Sequence, residues 1–123
     1  MSSQAFGKSS RLLNSSDFQA VFDNASLRAS HSQLLVLARP NALDHPRLGL
    51  VISKKNIRLA VQRNRIKRIA RESFRLQKPK LAGIDAIVLA RRKLDLLSNE
   101  QLHVIFNQQW CRIIKKACSE ISN

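Results

Sequence analysis

Residues 54–80, KKNIRLAVQRNRIKRIARESFRLQKPK, alternate basic and apolar side chains at the period of an α-helix. No other stretch restricts the fold as strongly. At about 100° per residue, Asn64, Lys67, Arg68, Arg71, Arg75 and Lys78 fall on one side of the helix, while Leu59, Ile66, Ile69 and Ala70 fall opposite and Phe74 at the edge. A helix with such a stripe buries its apolar side on a core and holds its cations in water. The rest of the chain therefore has to supply a core. The stretch carries eleven of the chain's 22 Lys and Arg against a single acid, Glu72, so the net charge of +14 is concentrated here. With one acid among eleven bases, ion pairs between successive turns cannot neutralise the row, and like-charge neighbours cost stability. The row fits a polyanion, and its arginines suit bidentate phosphate contact and stacking on bases. Seven phosphate contacts would give log K a slope against log salt of roughly −5 to −6.

The 123 residues, 44% of them hydrophobic, suffice for one folded domain, expected over residues 11–123 behind a Ser-rich mobile tail at 1–10. No apolar run approaches the ~18–20 residues that span a bilayer. The opening residues show no sustained apolar signal segment, so a cytoplasmic location is expected. Basic amphipathic helices do bind membranes, but here several other core-forming segments compete for the apolar face. Nucleic acid is the expected partner, with no membrane and no DNA.

Ser15 or Ser16 can cap a first helix running to about Ala25, on which Phe18, Val21 and Phe22 form an i, i+3, i+4 stripe. Residues 33–39 (QLLVLAR) read as a buried strand, 41–46 (NALDHP) as a turn, and 47–53 (RLGLVIS) as its antiparallel partner. The basic helix follows over about 59–77 and ends at Lys78-Pro79 and Gly83. Residues 85–91 (DAIVLAR) are apolar enough for a central strand. Ser98-Asn99-Glu100-Gln101 is a capping-box pattern opening a last helix, whose apolar face is Leu102, Ile105, Phe106, Trp110, Ile113 and Ala117. The order α-β-β-α-β-α is that of an α+β two-layer sandwich, a small mixed sheet with helices packed on it.

Catalytic signals are lacking. The acids, Asp85 among them, sit mostly at helix starts, turns and exposed positions, and three glycines cannot build a phosphate-binding loop. Cys111 and Cys118, two helical turns or roughly 10 Å apart, are too distant for a disulfide. They are expected as small buried residues in a reducing compartment. His31, His45 and His103 share no ligand spacing, so no protein-held metal is expected. Asn64 can serve either local hydrogen bonding near the helix start or the orientation of RNA or a bound ion. Phe18 and Phe22 are core residues unless the sheet leaves a cleft beside the first helix, where bases could stack on their edges. On residues alone the chain reads as a binding protein. A non-catalytic ribosomal or RNA-assembly protein fits this reading, and a DNA regulator fits less well, because no helix-turn-helix pair precedes the basic helix.

Arg63-Asn64-Arg65-Ile66-Lys67-Arg68, followed by Arg71-Glu72-Ser73-Phe74-Arg75, closely resembles the signature of the bacterial ribonuclease P protein family. The pattern Phe18-x-x-Val21-Phe22 resembles that family's first helix, and Arg47 to Lys55 (RLGLVISKK) resembles the strand leading into its basic helix. The resemblance covers about 11–118. It departs at Asn56-Ile57-Arg58-Leu59, where many relatives carry a shorter connection containing glycine. What it implies is a protein subunit of an endoribonuclease that removes the 5′ leader of precursor tRNA. The catalytic RNA would hold the active site and the Mg²⁺ ions, and the polypeptide alone would be inactive. By the same resemblance, Arg63, Asn64, Arg65, Lys67, Arg68, Arg71 and Arg75 contact the catalytic RNA. Phe18 and Phe22, with Lys54, Lys55, Arg91 and Arg92, contact the precursor tRNA leader. The resemblance also implies a left-handed β-α-β crossover, against the usual right-handed connection. Alanine at Arg65 or Arg68 is expected to weaken RNA binding with little loss of fold stability.

Overall fold

A computed structural model describes residues 15–122, with side chains from 16 to 118. The tail expected at 1–10 lies outside the described residues. The elements are α1 (Ser15–Asn24), β1 (Leu27–His31), β2 (Leu34–Pro40), β3 (Arg47–Val51), α2 (Ala60–Leu76), β4 (Ile84–Ala90) and α3 (Asn99–Ser122), with single 3₁₀ turns at Lys78–Leu81 and Leu94–Leu96. The basic helix thus falls within one residue of its expected bounds at either end. Leu59, placed on its apolar side by periodicity, instead precedes the helix as its N-cap and is exposed. Phe74 is not at the edge but fully buried, its ring 5.4 Å from that of Trp110 in an edge-to-face arrangement.

The four strands lie in the order β1-β2-β4-β3. This corrects the expected hairpin: β3 does not pair with β2 but runs parallel to β4, from Arg47 opposite Asp85 to Val51 opposite Leu89. The physical reason is the composition of β4, six of whose seven residues are buried. Such a strand is covered on both faces and takes the centre. The turn after β2 guides the chain past it, Asn41 donating its N–H to the Gly83 carbonyl at 2.8 Å, and Gly83 reverses the chain at φ +83° before β4 begins. The β3-α2-β4 segment is therefore a β-α-β unit between neighbouring parallel strands.

β1 was not expected. Its sequence, LRASH, has only two core residues, Leu27 and Ala29, and as an edge strand it is held by hydrogen bonds more than by burial. Besides pairing with β2, it is gripped by α3. Gln109 Nε2 donates to the Ala29 carbonyl at 2.7 Å, Arg112 Nη1 to that of Ser30 at 2.9 Å, and Lys116 Nζ to that of Arg28. Side chains that occupy an exposed strand in this way blunt its tendency to pair with other chains.

Strand alternation assigns each residue to one face. On one face Leu34, Val36, Ala38, Leu48, Ala86 and Val88 pack under α2 and α3, forming the main core with Ile66, Phe74, Phe106 and Trp110. Burying each such large side chain stabilises the fold by about 1.5–3 kcal/mol. The polar atoms in this layer are satisfied: Trp110 Nε1 donates to Ser73 Oγ at 2.9 Å, and Ser73 Oγ to the Ala70 carbonyl at 2.9 Å. The capping box at α3 is realised in both directions, Gln101 N–H to Ser98 Oγ at 3.1 Å and Ser98 N–H to Gln101 Oε1 at 2.9 Å. Cys111 and Cys118 are exposed rather than buried. Measured from Leu102 at about 100° per residue, both point away from the core stripe. Among the described residues, α1 lies alone on the opposite face of the sheet, where Val21 packs on Leu37 and Ile87.

Candidate nucleic-acid interface

The α1 side of the sheet is layered by register. At one end, Arg39, Asp85 and Arg47 sit side by side on β2, β4 and β3. Asp85 is fully buried and accepts Arg47 Nε at 2.8 Å, Arg47 Nη2 at 2.7 Å and Asn41 Nδ2 at 2.8 Å. Asp85 is thus an exception to the exposed placement expected for the acids. Its hydrogen bonds, opposed in part by burial, raise the Arg47 pKa above the usual guanidinium value. Arg47 also reaches Asp17 of α1 at 3.5 Å, so this network fixes one end of the helix to the sheet.

One row further along come Leu37 and Ile87 beneath Val21, and then Leu35, Leu89 and Val51, which are only partly buried. On α1, helical geometry puts Asp17 on one flank of Val21 and Phe18 and Phe22 on the other. The aromatic flank therefore looks toward the half-open row. Phe18 packs partly against the small cluster, while Phe22 is 44% exposed. The result is a groove with an aliphatic floor and an aromatic wall. Because β3 and β4 are parallel, the loops that follow them emerge at the same end of this groove. They carry Lys54, Lys55 and Arg92 exposed to solvent. Arg91 is partly withdrawn, its Nη1 donating to the His31 carbonyl at 2.7 Å and to Ser30 Oγ at 3.3 Å.

The basic surface of α2 lies beyond the other face of the sheet. Asn64, Arg68 and Arg71 are exposed, Lys67 is half-buried, and Arg75 is held to Glu72 at 2.7 Å. A notch of about 240 Å³ beside this row is lined by Arg65, Arg68, Ile69, Glu72, Asn99 and His103. Two members of the signature turn inward. Arg63 Nη1 donates to the carbonyls of Ile57 at 2.9 Å and Arg58 at 2.8 Å. Arg65 donates to Gln62 Oε1 at 2.8 Å, Asn99 Oδ1 at 2.7 Å, and the carbonyls of Asp95 and Leu97 at 3.0 Å each. The expectation that alanine at Arg65 costs little stability does not survive this geometry, because three main-chain and side-chain acceptors on the following loop and α3 would lose their donor. The cation count of the sequence could not separate inward from outward arginines. The floor residues Leu35, Val51 and Leu89 also went unnoticed, since strand alternation alone does not tell which face stays uncovered.

Among the described residues, no three His, Cys, Asp or Glu side chains are grouped as a metal ion would need. No helix is long and apolar enough to cross a membrane among the described residues.

The family model described as Ribonuclease P matches residues 6–114. The chain is 56% identical over 113 residues to the ribonuclease P protein component of Saccharophagus degradans, covering 92% of this chain and 84% of that one. It is 54% identical to the same component of Chromohalobacter salexigens, over 94% of this chain and 90% of the other. Among solved structures, the Staphylococcus aureus RNase P protein superposes with a TM-score of 0.72 at 31% identity, covering 87% of this chain and 94% of that one. The Thermotoga maritima RNase P protein gives a TM-score of 0.69 at 29% identity, with 86% and 96% covered.

Proposed function

Because the chain belongs to the ribonuclease P protein family, whose known role is tRNA 5′-leader processing, we propose that it is the RNA-binding and non-catalytic part of that endoribonuclease. This assignment is favoured over a ribosomal or RNA-assembly protein. The active site belongs to the catalytic RNA, and the polypeptide alone is inactive. Mg²⁺ is held by phosphates of the RNA subunit and substrate. The particle works in the cytoplasm.

The observation that carries the reading is the groove beside α1, half-open and aliphatic below, aromatic on one wall and cationic at one end. Its chemistry suits single-stranded RNA: bases stack on the Phe18 and Phe22 edges while Lys54, Lys55, Arg91 and Arg92 follow the phosphates. A precursor tRNA leader is such a strand. The row Asn64, Lys67, Arg68, Arg71 and Arg75 on the far side faces the catalytic RNA, whose folded phosphates it neutralises. Arg63 and Arg65 belong to the same signature. One protein thereby lies between two polyanions and screens their repulsion.

The test is cleavage of a 5′-extended precursor tRNA at low magnesium by a bacterial ribonuclease P RNA, by the purified chain, and by the two together. Stimulation in the mixture, with no activity from the chain alone, is expected. Unchanged kinetics with RNA binding intact would return the chain to the class of general RNA-binding proteins.

A further inference from the structure

Three internal ties link the two regions just described, and all of them involve the loops at one end of the groove. Arg63 of α2 holds the carbonyls of Ile57 and Arg58, in the loop that carries Lys54 and Lys55. Arg65, one residue past Asn64, holds the carbonyls of Asp95 and Leu97 and the side chain of Asn99, beyond Arg92 on the other loop. Asn56 ties the first loop to the end of β4, where the second begins, its Nδ2 donating to the Ala90 carbonyl at 2.9 Å. Arg65 commits all three of its guanidinium nitrogens to protein acceptors. Only a planar fork serves acceptors in several directions at once, which a lysine ammonium on its flexible stem does not reproduce.

We propose that Arg63 and Arg65 are positioning residues that couple the RNA-gripping helix to the mouth of the leader groove. Asn64, Arg68 and Arg71, between and beyond them, face outward. Contact of α2 with the catalytic RNA then fixes both rim loops, and with them the spacing of the cations along the leader. This inference rests on the proposed leader groove, and the signature accordingly divides into residues that touch RNA and residues that hold the ones that do.

The test uses holoenzyme reconstituted with a bacterial ribonuclease P RNA, measuring affinity for 5′-extended against mature tRNA. In parallel, the salt dependence of chain binding to that RNA is measured. Arg65→Lys, which keeps the charge, and Asn99→Ala, which removes an acceptor and leaves Arg65 in place, are each expected to lower the precursor-to-mature ratio roughly threefold or more, the scale of a modulated coupling between sites. Arg65→Ala is expected to leave the salt slope at its parent value, whereas loss of a phosphate contact would flatten it by roughly 0.7–0.9. An unchanged ratio in both Arg65→Lys and Asn99→Ala, or a flattened slope in Arg65→Ala, would overturn the assignment. Should Arg65→Ala not fold, the other two variants decide. A parent holoenzyme that does not prefer precursor would remove the groove itself, and this inference with it.

Discussion

The two faces of one sheet, built from alternate residues of the same strands, do opposite work. The face under α2 and α3 is closed by Phe74, Phe106 and Trp110, with its buried polar atoms paired. The face under α1 has a three-residue cluster, an ion network at one end and a row of half-open aliphatic side chains. A single ten-residue helix cannot cover a four-stranded sheet. The part that the described residues leave uncovered is where another molecule can lie. The proposed division between stability and recognition thus follows strand alternation, not distance along the chain.

Substitutions on either face put this division to the test. The largest effect is expected from Trp110→Ala on the closed face, a loss of about 3–5 kcal/mol in denaturant unfolding. A loss below that of any groove variant would contradict the contrast. Next comes Asp85→Ala, which takes the counter-charge from Arg39 and leaves Arg47 only Asp17 at 3.5 Å. Since Arg47 is itself 22% exposed, the loss should stay at about 2–3 kcal/mol. Faster amide exchange in α1 than in α3 should accompany it, and equal protection would mean that the network does not anchor α1. The raised pKa of Arg47 means that this cation stabilises in full below its unfolded value, so the network should not weaken across neutral and mildly alkaline pH. Phe22→Ala should move the melting point little and weaken binding of precursor tRNA by roughly 1 kcal/mol, the low end for one stacked base. Equal weakening for mature tRNA would refute the leader contact. Smallest in stability is Arg68→Ala, within about ±0.5 kcal/mol, although it should flatten the salt slope for RNA binding by roughly 0.7–0.9.

Periodicity carried most of the elements. α2, β4 and α3 were readable because long stretches of each repeat one pattern, and because Ser98 and Gln101 are chemically specific to a helix start. β1 escaped because three of its five residues are polar and its support comes from Gln109, Arg112 and Lys116, some 80 positions later. The partner of β3 was misassigned for a related reason: nearness in sequence favours a hairpin, while burial of β4 on both faces decides the pairing. At the surface, the helical wheel gave the sides of α2 but not the reach of its long side chains. Arg63 lies on the buried side in the first turn of α2 and Arg65 at its margin, where a guanidinium bends to the nearest carbonyls.

The position of β4 between β2 and β3 also dictates an order of events when the chain is made. Everything from α1 through α2 leaves the ribosome before the strand that will join β2 to β3. Arg47 must wait for Asp85, 38 residues downstream, to find its counter-charge. Neither central pairing is local, and each requires a long loop to close before any strand contact compensates for it. Both central pairings therefore depend on the arrival of β4, which α1 and α2 precede and α3 follows.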